Sequence, residues 1–308
     1  MKGIRWPMRY KIYDNENIYF VNNDCLKYVK KIEDKSISLV LTSPPYCMNK
    51  AYENLSDDID TFKMNNEAII KECARVLKRG GSLCWQVGYH VKDSITVPLD
   101  VIIYNIIDKI NENLQKEDKL VLRNRIVWTF GHGLHSELRF SGRHETILWF
   151  TKGDQYTFNL DCVRIPQKYP GKTFFKGEKK GKLSGNPAGK NPSDVWDIPN
   201  VKANHVEKTE HPCQFPEALA QRLILALTNE NDVVLDPYLG SGTTALACLL
   251  NSRRFKGSEL NKKYFEIAKN RIELAISGAV KIREDKPVML PDPNSKVAKR
   301  PEHFKKED

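Results

Sequence analysis

An α/β fold, a mostly parallel sheet with helices packed on both faces, is predicted by three features of the 308-residue sequence. Strand-like and helix-like periods alternate through the first half, and a compact βαβα unit spans about 232–274. A glycine-rich turn joins a strand to a helix inside that unit.

The elements follow in order. Ile18 to Asn22 and Ser38 to Thr42 are short apolar runs of strand length, with a helix expected over Cys25 to Ile32 between them. A helix is expected from Asn66 to Lys78, because Ile69, Ile70, Cys73, Val76 and Leu77 share one face and Gly80-Gly81 is a stop signal. The run Ser82 to Val87 is a strand, Leu99 to Leu114 a helix, and Leu122 to Phe130 and Glu145 to Thr151 two more strands. Periodicity returns with a helix at Glu217 to Thr228, then strand Asp232 to Asp236, helix Thr243 to Asn251, strand Arg254 to Glu259 and helix Lys262 to Leu274. Boundaries are expected at the composition changes: 1–152 and 206–278 as two halves of one domain, 153–205 as an inserted lobe, and 279–308 as a mobile basic tail.

Lysine and arginine exceed aspartate and glutamate by 49 to 39. That balance points to an anionic partner such as nucleic acid. From residue 168 to 190 the chain carries seven lysines (Lys168, Lys172, Lys176, Lys179, Lys180, Lys182 and Lys190) against the single acid Glu178. Such a stretch cannot bury much of itself and suits a phosphate backbone. No run approaches a membrane span, and the opening residues lack the apolar core of a signal peptide, so a cytoplasmic protein is expected. The seven cysteines stand 11 or more residues apart, which excludes paired metal-ligand spacing; free thiols and no metal are expected.

Two stretches carry chemistry. In "LVLTSPPY" two prolines end a buried strand after Thr42 and stiffen the loop Ser43, Pro44, Pro45, Tyr46. In "DVVLDPYLGSGTTALACLL" Gly240, Gly242 and Ala245 lie between a strand and a helix, and Glu259 ends the next strand. Glycines there let backbone approach a ligand, and an acid at that distance can accept both hydroxyls of a ribose. Taken alone, this turn leaves nicotinamide, flavin and S-adenosylmethionine open.

The two stretches together resemble the amino-group DNA methyltransferases. "TSPPY" is similar to their catalytic loop, "LDPYLGSGTT" to their cofactor turn and "GSEL" to their ribose-binding strand end. "NNDCLKYV", "RHETILWFTKG" and "HPCQFPEAL" complete the set. The resemblance implies a Rossmann-like S-adenosylmethionine-dependent fold, circularly permuted into the beta group, with a target-recognition lobe at 153–205. It also implies that Asp24, Asp236, Tyr238, Gly240, Ser241, Gly242, Thr243 and Glu259 serve the cofactor. Tyr238 replaces the family's usual Phe, and Phe215 stands where Lys is common.

In this family a serine at the head of the loop accompanies cytosine-N4 methylation and an aspartate accompanies adenine-N6, so Ser43 points to cytosine in double-stranded DNA, with adenine as the alternative. A non-catalytic DNA-binding subunit is the reading from a different class. A cognate restriction endonuclease is the expected partner. Arg164, Gln167, Asn186 and Asn191 are available to read bases, and Arg139 and Arg143 offer another contact surface.

Overall fold

The computed structural model describes residues 11–46, 58–92, 95–131, 135–167, 169, 171–202 and 204–284. Lys168 and the tail beyond 284 lie outside the described residues. The first part comprises β1 (Ile12–Asn15), β2 (Ile18–Asn22), α1 (Cys25–Val29), β3 (Ile37–Thr42), α2 (Ile59–Val76) and β4 (Leu77–Val87). The paired strands β5 (Tyr89–Lys92) and β6 (Ile95–Pro98) lead into α3 (Leu99–Glu112), β7 (Leu120–Thr129) and β8 (His144–Lys152). After β9 (Val195–Asp197) come α4 (Glu217–Leu227), β10 (Val233–Asp236), α5 (Thr243–Leu250), β11 (Arg254–Glu259) and α6 (Lys262–Ile276).

The large sheet has the order β1-β2-β11-β10-β3-β4-β8-β7-β9. Its central run β2-β11-β10-β3-β4 is parallel, and β8 joins antiparallel to both β4 and β7. All six residues of β3 are buried, as a strand covered on both faces requires. Leu39 and Leu41 point into the layer of α4, α5 and α6, with Leu223, Leu246 and Phe265. Ile37 and Val40 point into the layer of α1, α2 and α3, with Ile70, Cys73 and Ile107. Helices therefore cover both faces, as expected.

Both ends of α2 differ from the expectation: it starts at Ile59, seven residues before Asn66, where Asp58 caps it by accepting from the Thr61 N–H, and it ends before Lys78. The chain leaves the helix at Val76 and enters β4 at Leu77 with no intervening loop, running through Gly80 and Gly81 as strand. Lys152, only 4% exposed, explains the sharp exit: its Nζ donates to the carbonyls of Ala74 (2.7 Å) and Leu77 (3.0 Å). The Ser36 N–H donates to the Val76 carbonyl. Gly81 is needed for a different reason, since a Cβ there would stand 2.8 Å from the Ser38 carbonyl of the neighbouring strand. Strands β1, β5, β6 and β9 were not anticipated; each has three or four residues, and β1 is mostly exposed.

Within 153–205 the only regular elements among the described residues are a 3-10 turn at Leu160–Val163 and β9, which returns to the main sheet beside β7. The basic stretch is an excursion closed at its neck by the Ile165–Lys190 bridge. Lys172, Lys176, Lys179, Lys180, Lys182 and Lys190 are all exposed on it. Its polar side chains serve its own backbone: Arg164 donates to the Gly189 carbonyl and Gln167 to that of Asn186. At the other end, Val280 and Ile282 pack against the core and the Arg283 N–H donates to Glu207, so the first residues of the expected tail are attached.

Replacing Lys152 with Ala should leave two buried carbonyls without a donor and cost about 1–3 kcal/mol in urea unfolding. An unchanged midpoint would show that another group caps this helix.

Candidate active site

Parallel strands end on one side of the sheet, so the loops after β2, β3, β10 and β11 share a crevice. A cavity of about 490 Å³ lies there, within the size range of small-molecule sites. It is lined by Asp24, by Ser43, Pro44, Pro45 and Tyr46, and by Tyr238, Gly240, Ser241, Thr243 and Glu259. Asp236 and Gly242 do not line it; they support those that do.

Asp236 is buried at the end of β10. Its Oδ1 accepts from Thr42 Oγ1 (2.6 Å) and from the Tyr238 N–H (3.1 Å), and its Oδ2 accepts from Thr244 Oγ1 (2.7 Å). Burial pushes its pKa up to about 6, against those three donors. Gly242 caps α5 with φ +79°, and a Cβ there would stand 2.8 Å from Ala268 Cβ. Only glycine meets both conditions without a shift.

The turn is held from two further sides. Glu259 Oε2 accepts from the Gly240 N–H (2.8 Å) and Oε1 from the Asn261 N–H (2.7 Å). Each oxygen keeps capacity for another donor on the cavity side. Burial nonetheless raises the Glu259 carboxyl to about 7. From α6 the buried Arg271 donates to the Ser241 carbonyl (2.8 Å) and to Thr243 Oγ1 (3.0 Å). Burial lowers Arg271 to about 10 while Glu207 and Glu217 oppose the shift. Sequence reading missed Arg271. Its signal was a cation at the helical spacing of Ala268 and Ile272, an apolar face.

In the loop after β3, Ser43 Oγ donates to the Tyr46 hydroxyl (3.3 Å). That hydroxyl also accepts from Gln86 Nε2 on β4 (3.3 Å) and approaches Glu145 Oε2 on β8 at 3.5 Å. Gln86 in turn donates to Glu145. The Tyr46 ring is only 7% exposed yet forms part of the cavity wall, and burial, then Glu145, raises its pKa far above the usual phenol value. Gln86 and Glu145 were not anticipated as site residues, although Glu145 belongs to a quoted motif. Asp24 caps α1 by accepting from the Lys27 N–H (2.9 Å). The Tyr238 hydroxyl is housed against the Cys25 thiol, which burial raises to about 11. Phe215 lines the cavity as an apolar wall.

A crevice of this size between a glycine turn, a strand-end carboxylate and a Ser-Pro-Pro-Tyr loop suits a nucleoside cofactor. The DNA methylase family model matches residues 37–270, and the chain belongs to that family of S-adenosylmethionine-dependent enzymes. The type II methyltransferase M.BglII of Bacillus subtilis is 47% identical over 248 residues, which are 80% of this chain and 66% of that protein, so the chain spans about two thirds of its length. The DNA adenine methyltransferase YhdJ of Escherichia coli (strain K12) is 32% identical over 267 residues, 85% of each chain. Among solved structures, the putative DNA modification methylase TTHA0409 of Thermus thermophilus, complexed with S-adenosyl-L-methionine, superimposes with a TM-score of 0.58 at 25% identity, covering 85% of this chain and 95% of that one. The cavity fits that cofactor: Glu259 suits a ribose diol, and Leu26, Tyr238 and Phe215 give apolar walls.

A carboxyl raised from 4.5 to about 7 holds its proton more tightly folded than unfolded, so its contribution to stability is present below pH 4.5 and is lost as pH rises through 7. Urea unfolding of the cofactor-free protein should therefore show wild type losing stability relative to Glu259→Gln between about pH 5 and 8. Parallel pH profiles of the two would contradict the burial of this charge.

Proposed function

We propose that this chain methylates the exocyclic N4 of cytosine in double-stranded DNA, on a base turned out of the helix, as the modification enzyme of a restriction system. One observation carries the choice of base. A neutral hydroxyl, Ser43, heads the loop at the cavity, and its proton is donated to the Tyr46 hydroxyl.

The amino nitrogen of cytosine is a weak nucleophile because its lone pair is delocalised into the ring. With its proton engaged by Tyr46, Ser43 Oγ presents lone pairs and accepts one amino N–H; the Pro44 carbonyl accepts the other. The nitrogen is drawn towards tetrahedral geometry, and its lone pair is released along the line to the cofactor turn. S-adenosylmethionine supplies an electrophilic methyl group on a sulfonium. Glu259 holds the ribose, and Tyr46 gives the ring a face to stack on, worth about 1–3 kcal/mol per base. The nitrogen cannot be reached inside a stacked duplex, so the base must first leave it. The exposed lysines of 172–190 hold phosphates and set register. Such an enzyme acts at the nucleoid.

Adenine N6 is the second reading, because a relative named an adenine methyltransferase is 32% identical. The type II name of M.BglII supports the restriction-modification context and a cognate endonuclease.

Purified protein with labelled S-adenosylmethionine and unmethylated DNA should yield N4-methylcytosine on digestion and mass spectrometry. Ser43→Ala should lose at least about 100-fold in transfer, the scale of one positioned acceptor, with cofactor affinity retained. N6-methyladenine would remove the base assignment, and undiminished transfer by the variant would remove Ser43 from the mechanism. Replacing the lysines from 172 to 190 should reduce the slope of log K against log salt by about 0.9 for each phosphate that is no longer neutralised. An unaltered slope would move the DNA-binding surface elsewhere on the protein.

A further inference from the structure

We propose that residues 136–143, which lead into β8, form a wedge that enters the DNA duplex beside the target, with Phe140 taking the place of the extruded base. The proposal rests on the reading of a flipped base above. Strand β8 begins where β4 ends, with Thr146 opposite Val87, and Thr129 pairs with His144 at the end of the hairpin. The loop thus stands on the rim that carries Ser43. Glu145, one residue into β8, already touches the catalytic loop through Gln86 and Tyr46.

The tip is built to project. The Ser136 N–H donates to Ser141 Oγ (3.1 Å), which closes residues 136 to 141 on themselves. The base is braced by Tyr89: its ring lies 6.1 Å from that of His144 and 5.9 Å from the Arg139 guanidinium, and its hydroxyl fills the place a Cβ at Gly142 would need. Between these fixed points Leu138 is 85% exposed and Phe140 101%, the highest exposure of any large apolar side chain among the described residues. Two such side chains in three residues, on a braced tip, are costly in water unless a partner covers them.

The partner's chemistry follows from the surroundings. Arg139 stands one residue before Phe140 and Arg143 three after it, with Glu137 the one acid of the tip, so the segment that carries the ring is net cationic. A protein groove would suit the ring alone. A duplex suits both, since phosphates meet the arginines and a base step opened by extrusion meets the ring. Unstacking is unfavourable, and an inserted ring offsets part of it.

The test compares wild type with Phe140→Ala and Phe140→Trp in single-turnover methylation of duplexes that differ only opposite the target: normal partner, mismatch or abasic site. Phe140→Ala should be slowed about tenfold or more on the paired duplex and by less than about threefold on the other two, because a target already unpaired needs no wedge. Phe140→Trp should keep most of the wild-type rate. Equal losses on all three duplexes, or no loss, would overturn the wedge while leaving the methyltransferase reading intact. Failure of the wild type on every duplex would overturn that reading and the wedge with it. Phe140 buries nothing in the fold, so an unchanged melting temperature is expected for both variants.

Discussion

The buried carboxylate of Asp236 ties together the two halves of this enzyme. Thr42, the last residue of the strand that feeds the Ser43–Tyr46 loop, lies 194 positions before it and donates to it at 2.6 Å. The same carboxylate receives Thr244 from the first turn of α5 and the Tyr238 N–H from the cofactor turn. Desolvating an isolated carboxylate is expensive, and three donors offset that cost. The Ser43–Tyr46 loop and the glycine turn are consequently fixed to one another through a side chain that does not line the cavity.

The other supports act directly on the turn. Glu259 binds the Gly240 N–H, Arg271 binds the Ser241 carbonyl, and Gly242 lets α6 approach α5 closely. The loop is held in the same manner, by Gln86 and Glu145 around the Tyr46 hydroxyl. Permutation leaves these interactions unharmed, because they join carboxyl ends of adjacent parallel strands and depend on strand order in space.

Much of this was legible in the sequence, because the central strands and helices obey strict periods and the two motifs sit at strand ends. Local signals failed where tertiary packing decided the outcome. The glycine pair at 80–81 reads as a helix stop, yet Lys152, far along the chain on β8, ends the helix earlier. Asp236 and Gly242 read as cavity residues because they sit inside a ligand motif, whereas their neighbours' packing makes them supports. Gln86 and Glu145 carry no local signal of their own, since each is a polar residue in a strand whose use appears only when β4 and β8 pair. The short strands β1 and β9 draw their pairing from neighbours and were invisible for that reason.

If Asp236 sets the catalytic loop against the cofactor turn, Thr42→Val is the substitution that tests it most directly. Valine keeps the branched shape and the strand, and removes only the donated hydrogen bond. Single-turnover methyl transfer should fall about tenfold or more, the scale of a small misplacement of reacting groups, while cofactor affinity changes less than about threefold. A transfer rate equal to wild type would contradict the account.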